Sequence, residues 1–149
     1  MLNAVELYSY AQNFRDAYSV VMKPLCDELG MTQSAVDILM FLANNPGQDT
    51  SSDIKDYLHM KQGIISFHVD RLVEEGYLER GRSGADRRKC HLFCTQKAAG
   101  LIENGRRLQA KFYAGLVEGF GEEDIKRFAE ALRAVGENID RMIQEGKND

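Results

Sequence analysis

Apolar residues recur at steps of three and four over most of the chain, the period of an amphipathic helix. From Leu2 to Glu28 the stripe is Leu7, Ala11, Phe14, Tyr18, Val21 and Leu25, which predicts one long helix. Pro24 is expected to bend or loosen its last turn, because it lacks the N–H and crowds the carbonyl four residues back. Gly30 then ends it. Thr32 is a candidate N-cap for a second helix through Asn44, in which Val36, Ile38, Leu39, Met40, Phe41 and Leu42 leave little polar surface. Such a helix belongs in a core.

After the turn Asn45-Pro46-Gly47, Thr50 and Asp53 form an Asp variant of the capping box and open a short helix, Ser51 to Leu58. A second turn spans His59 to Lys61. From Gln62 to Glu75 the apolar face is Ile65, Val69, Leu72 and Val73, while Gly63, Ser66, Phe67, Asp70 and Glu74 point away. Two helices joined by a tight turn make a helix-turn-helix. Past Gly76 the pattern becomes β-rich: Tyr77 to Arg80 and Lys89 to Cys94 flank a basic, Gly-containing tip, which predicts a β-hairpin. Thr95 is expected to cap a helix to about Phe120. Gly100, Gly105 and Gly115 inside it each cost up to ~1 kcal/mol against Ala, so partners must hold it. A last helix, Glu122 to about Glu145, spaces Ile125, Phe128, Leu132, Val135, Ile139 and Met142 by three and four, a seam that wants another helix. Only Gly146 to Asp149 reads as disordered.

Composition narrows the class. A chain of 149 residues with 44% hydrophobic content can form one domain with a core that needs neither metal nor disulfide. A net charge of −4 argues at first against nucleic acid, but its distribution reverses that. Between Gly76 and Lys97 stand Arg80, Arg82, Arg87, Arg88, Lys89 and Lys97 against Glu79 and Asp86, a local charge of +4 in an otherwise acidic chain. Three cysteines, Cys26, Cys90 and Cys94, with no signal peptide, predict a reduced, cytoplasmic protein. No apolar run approaches the ~20 residues of a membrane span. The histidines His59, His68 and His91 lack metal-ligand spacing, Cys90 and Cys94 lack a second ligand pair, and no nucleophile, phosphate-loop or metalloprotease motif occurs. The expectation is no metal, no cofactor and no enzyme.

The order helix, helix, helix, reading helix, wing, helix, helix resembles the MarR family of regulators over nearly the whole chain. The stretch from Leu58 to Leu72 is similar to the family's turn and recognition helix, with Val69-Asp70-Arg71-Leu72 closing it. Glu75-Gly76-Tyr77-Leu78 resembles the step into the wing and Asp86-Arg87-Arg88 the wing-tip signature. Thr95-Gln96-Lys97 and Gly121-Glu122-Glu123-Asp124 resemble the openings of the fifth and sixth helices. Lys61, Phe67 and Ala98 depart from the usual Ser cap, polar reader and Gly.

The resemblance implies a mainly α fold with a small β-wing: a winged helix-turn-helix over residues 31–94, and dimerisation helices over 1–30 and 95–149. It implies a homodimer on double-stranded DNA with a pseudo-palindromic operator, and no membrane. Gln62, Gly63, Ser66 and Phe67 lie where base edges in the major groove are read. Arg88 is placed to enter the minor groove, with Asp86 fixing the hairpin or the rotamer of that arginine and Arg82, Arg87 and Lys89 on phosphates. Repression released by a small aromatic effector is the family pattern. Tyr8, Tyr10, Phe14, Tyr18, Met22, Met40 and His59 are the candidates to line its cleft. Two other readings are weighed: a thiol-based redox sensor at Cys26, and a winged helix that binds only protein.

Overall fold

A computed structural model describes residues 1–82 and 88–147. These form two compact units, Met1–Phe112 and Tyr113–Asp149. The first contains α1 (Ala4–Leu29), α2 (Gln33–Asn44), α3 (Ser51–Leu58), α4 (Gln62–Glu74), β1 (Leu78–Gly81), β2 (His91–Cys94), a single 3-10 turn (Gln96–Ala98) and most of α5 (Ala99–Leu116). The second holds the end of α5 and α6 (Glu122–Gly146). The architecture is mainly α with a two-stranded antiparallel wing, as the periodicity and the resemblance implied.

Two helices begin where a side chain satisfies their free N–H groups. Asn3 and Glu6 close a capping box on α1, and Thr50 and Asp53 close the expected one on α3. The carboxyl of Asp53 is held below its ordinary range by the hydrogen bonds from Thr50. The α1 helix runs through Pro24 to Leu29 and stops at Gly30, which takes the left-handed conformation at φ 64°. Thr32 occupies the N-cap of α2, but it contributes its carbonyl and not its side chain, accepting from the Val36 N–H at 3.2 Å.

The core is centred on α2, seven of whose twelve residues are buried: Ala35, Val36, Ile38, Leu39, Met40, Phe41 and Leu42. Against it pack Met22, Leu25 and Leu29 of α1, Ile54 of α3, Ile65, Val69 and Leu72 of α4, Leu78 and Leu92 of the wing, and Leu101, Ile102 and Leu108 of α5. The α1 stripe is buried only at its C-terminal end; Leu7 and Phe14, expected on the same face, are exposed. On α4 the predicted face is correct except that Val73 is half-buried and His68 is buried with it.

Two expectations are corrected. Thr95 does not cap a helix with its side chain: it precedes the 3-10 turn, and its hydroxyl donates instead to the Gly76 carbonyl at 2.5 Å. The fifth helix ends at Leu116, and Gly119 at φ 83° turns the chain before α6. The strands are also shorter than the alternation suggested, with Tyr77, Lys89 and Cys90 outside the ladder. Of the tip predicted between Gly81 and Arg88, residues 83–87 lie outside the described residues, as do the last two of the tail.

The α6 helix carries Glu122, Glu123 and Asp124 at its positive end. None of its residues is buried, and Leu132, Val135, Ile139 and Met142 of the expected seam are exposed. Phe120 and Phe128 stack edge to face at 6.2 Å within this unit.

Gly105 explains how α5 tolerates one of its glycines. A Cβ there would collide with Met40 Sδ and lie 3.0 Å from Leu25 Cδ2, so hydrogen alone lets α5 approach the core so closely. Gly100 has open space around it. Gly105→Ala should therefore destabilise the protein by about 1–3 kcal/mol through overpacking. Gly100→Ala should stabilise it by up to ~1 kcal/mol through helix propensity. Urea unfolding of both variants checks the contrast, and equal effects would contradict it.

Candidate nucleic-acid interface

The helix-turn-helix is set by a left-handed residue that is not glycine. His59 ends α3 at φ 54°, its N–H donating to the Lys55 carbonyl at 2.9 Å, and two residues later Lys61 begins α4. Lys61 makes no side-chain cap; its carbonyl accepts from Ile64 and Ile65. Because Ile65, Val69 and Leu72 are drawn into the core, the opposite face of α4 is presented outward. Gln62, Gly63, Ser66 and Phe67 all stand on that face and are exposed, Phe67 by 63%. Gln62 Nε2 donates to Ser66 Oγ at 3.4 Å, so the two polar candidates form one unit. His68 lies beside Phe67 with ring centroids 5.2 Å apart; its Nδ1 is buried without a partner, and burial holds its pKa below the usual range.

The wing is joined to this body at several points. In register, Leu78 faces Cys94 and Gly81 faces His91. Asp49, in the loop before α3, accepts the Leu92 N–H on its carbonyl at 2.8 Å and pairs its carboxylate with His91 Nδ1 at 2.5 Å. The hinge between α4 and the wing is closed by the Thr95 hydroxyl on Gly76 and by the Thr95 N–H on the Tyr77 carbonyl at 3.0 Å. Lys97 adds a bond to the Glu75 carbonyl at 2.6 Å, with its ammonium 4.6 Å from the centre of the Tyr77 ring. Arg80 of β1 pairs with Asp70 of α4. The Phe93 ring crosses close over Gly81, where a Cβ would sit 2.9 Å from it and the ring would have to turn aside. Arg82, Arg88 and Lys89 are exposed at the outer end of this hairpin, whereas Asp86 and Arg87 lie outside the described residues.

The sequence pattern does not reveal Asp49, Asp70 and Arg80 as positioning residues. Asp49 and His91 are separated by 42 residues, and nothing in local pattern signals such a pair.

A second feature of the Met1–Phe112 unit is a cleft of about 540 Å³. Of the aromatic and polar residues expected there, Phe14, Tyr18 and Met40 line it. Four do not: Tyr8 and Tyr10 are exposed on the first turns of α1, Met22 is wholly buried in the core, and His59 caps α3. Helical spacing could not separate the core-facing Met22 from its cleft-facing neighbour Tyr18. Eight further residues complete the walls and were not foreseen, among them Asp37, Phe41, Asn44, Tyr57, Gln109 and Phe112. The Tyr18 hydroxyl accepts from Gln109 Nε2 at 2.9 Å, and burial raises its pKa.

The surroundings of Cys26 oppose a reactive thiolate. Burial, then the Asp37 and Asp27 carboxylates, push its pKa up, and the Lys23 ammonium is engaged by Asp27 at 2.9 Å. Among the described residues no group of three metal-ligating side chains occurs, and no helix is long and apolar enough to cross a membrane.

A helix-turn-helix whose second helix faces outward and is followed by a clamped two-stranded hairpin is a winged helix-turn-helix. The MarR family model matches residues 29–89, which spans α2 to the wing. The HTH-type transcriptional regulator MhqR of Bacillus subtilis (strain 168) is 28% identical over 110 residues, covering 74% of each chain. The crystal structure of a MarR transcriptional regulator from Methanosarcina mazei Go1 superposes with a TM-score of 0.79 at 19% identity, covering 95% of this chain and 94% of that one. Bordetella bronchiseptica BpsR, whose DNA binding is regulated by 6-hydroxynicotinic acid, gives 0.68 at 15% identity over 88% of this chain and 98% of its own. Over residues 29–89 the chain matches the MarR family model, and its fold is that of MarR-family winged-helix structures.

The clamp yields a prediction of its own. Asp49→Ala removes the carboxylate from His91 and leaves the Asp49 carbonyl on Leu92. A hydrogen bond to a charged group contributes about 1.5–3 kcal/mol, so local opening at the wing base should become at least about tenfold more frequent. Amide hydrogen exchange at Leu92 should accelerate by that factor while Leu39 in the core is unchanged. An unchanged rate at Leu92 would show that the pair does not hold the wing.

Proposed function

We propose that the protein is a repressor that binds a pseudo-palindromic operator as a homodimer, and that a small aromatic molecule in the α1–α2–α3–α5 cleft releases it. The observation that carries the reading is the outward row Gln62, Gly63, Ser66 and Phe67 on α4, in the same clamped module as Arg82, Arg88 and Lys89.

An α-helix fits the major groove, where every base pair has its own donor and acceptor pattern. The Gln62 amide pairs with adenine, Ser66 meets a base edge or phosphate, Phe67 packs on a thymine methyl, and Gly63 permits close approach. Arg88 enters the minor groove, whose narrow stretches concentrate negative potential. Arg82, Arg87 and Lys89 contact phosphates, and Asp86 steadies the tip. Two copies of α4 related by a two-fold axis read half-sites about one helical turn apart.

The second copy is called for by apolar surface that the single chain leaves in water. Val5 and Leu7 on α1 are exposed, and so are Leu132, Val135, Ile139 and Met142 on α6, spaced by three and four as a helix–helix seam requires. Sedimentation at micromolar concentration should find a species of twice 16.8 kDa. A 16.8 kDa species alone would refute the dimer.

Release follows if a ligand in the cleft binds better to the form whose two reading helices are wrongly spaced for DNA. Operator then weakens ligand binding by the same factor by which ligand weakens operator binding.

Binding of labelled operator by fluorescence anisotropy tests the reading face. Gln62→Ala should cost about 1–3 kcal/mol on the operator and much less on random duplex. Arg88→Ala should weaken binding strongly with the thermal melt unchanged. Affinity of the wild type should fall steeply with salt. Wild-type affinity in both variants would overturn the proposed face. Absence of salt-dependent binding to any duplex would favour a winged helix that binds only protein.

A further inference from the structure

The walls of the cleft carry a bias of charge. Five rings line it: Phe14, Tyr18, Phe41, Tyr57 and Phe112. Phe112 is met edge-on by Phe14 at 5.1 Å and by Tyr18 at 5.2 Å, and Phe41 leans on Tyr57 at 4.9 Å. Among the lining residues the one carboxylate is Asp37, and none is Lys, Arg or His. The side chain of Asp37 takes a hydrogen bond from Gln33 Nε2 at 2.6 Å, a neutral donor that leaves its charge uncompensated. Arg106 approaches this region but is not a lining residue. Its guanidinium donates to Asn44 Oδ1 at 3.1 Å and to the Ala43 carbonyl at 2.9 Å. The other polar lining groups are neutral: Asn44 Nδ2 donates to Gln109 Oε1 and Gln109 Nε2 to Tyr18, Asn45 Nδ2 donates to the Phe41 carbonyl, and Tyr57 adds a hydroxyl.

We propose that the cleft selects organic cations: aromatic amines whose ring enters among the five aromatic side chains and whose ammonium group pairs with Asp37, in preference to aromatic acids. The inference rests on the reading of this cleft as the effector site and names the class of ligand it takes. A partly buried carboxylate without a cationic partner is costly, and an incoming ammonium supplies that partner. Aromatic faces attract the same cation through their quadrupoles, most strongly where water is excluded. An aromatic acid meets like charge at Asp37 and finds no cation on the walls. Burial already raises the pKa of Asp37, the direction expected for a carboxyl that lacks a cation.

The test uses the full chain and three probes that share one ring system: naphthylmethylamine, naphthylmethanol and naphthoate, titrated calorimetrically near neutral pH. The amine should bind about tenfold tighter than the alcohol, as expected for one charge-assisted contact, and naphthoate most weakly. Asp37→Asn should lower the amine to the level of the alcohol and leave the alcohol unchanged. Tyr57→Leu should weaken the amine more than the alcohol. If either variant fails to melt cooperatively, the ranking of the three probes on the wild type decides alone. Equal binding of amine and alcohol, or tightest binding of naphthoate, overturns the charge selection and leaves the cleft as a ligand site. Binding of none of the three overturns both.

Discussion

The attachment of the wing to the helix-turn-helix governs the rest of the molecule. A hairpin of two four-residue strands has no independent stability in water. This one is ordered because Asp49 takes the Leu92 N–H and His91 together, and because Thr95 and Lys97 close its base onto Gly76, Tyr77 and Glu75. Leu78 and Leu92 then enter the same core as α2 and α4. The outward face of α4 and the basic hairpin are thereby held as parts of one body, and a shift of one displaces the other.

The polarity of α4 follows from the same core. Ile65, Val69 and Leu72 are spaced so that their burial leaves Gln62, Ser66 and Phe67 on the far side, and fully burying each such aliphatic side chain contributes about 1.5–3 kcal/mol. Phe67 is exposed for the same reason: it lies on the outward side of a helix whose inner face is already filled. The cleft depends on α2 as well. Met40 is buried, lines the cleft and stands in contact range of Gly105, so the fit of α5 against α2 also shapes the wall that Gln109 and Phe112 supply.

Most of the fold was legible in the sequence because it is written in short-range chemistry. The Thr50-Asp53 box, Gly30 as a stop, the apolar run of α2 and the inner face of α4 each depend on residues within one or two turns. What escaped was long-range. Thr95 looks like a cap and is a clasp, because its hydroxyl reaches the Gly76 carbonyl, 19 residues away. Asp49 has no local mark of its role. The α1 stripe continues past the point at which the core of the single chain ends, so that Leu7 and Phe14 keep the pattern of burial without the burial. The outward face of α4 was anticipated from its apolar spacing and from the motifs between Leu58 and Leu78. Only three of the seven proposed cleft residues line it, because spacing alone could not separate core-facing Met22 from Tyr18, or show that Tyr8 and Tyr10 stand on the exposed first turns of α1 and that His59 ends α3.

The central claim is that this winged helix recognises particular sequences of duplex DNA. Selection of bound duplexes from a random library by the purified full chain, followed by sequencing over several rounds, tests it without a target gene having to be named. The account predicts enrichment of one inverted repeat whose halves lie about one helical turn apart. Recovery of a pool indistinguishable from the input would contradict it.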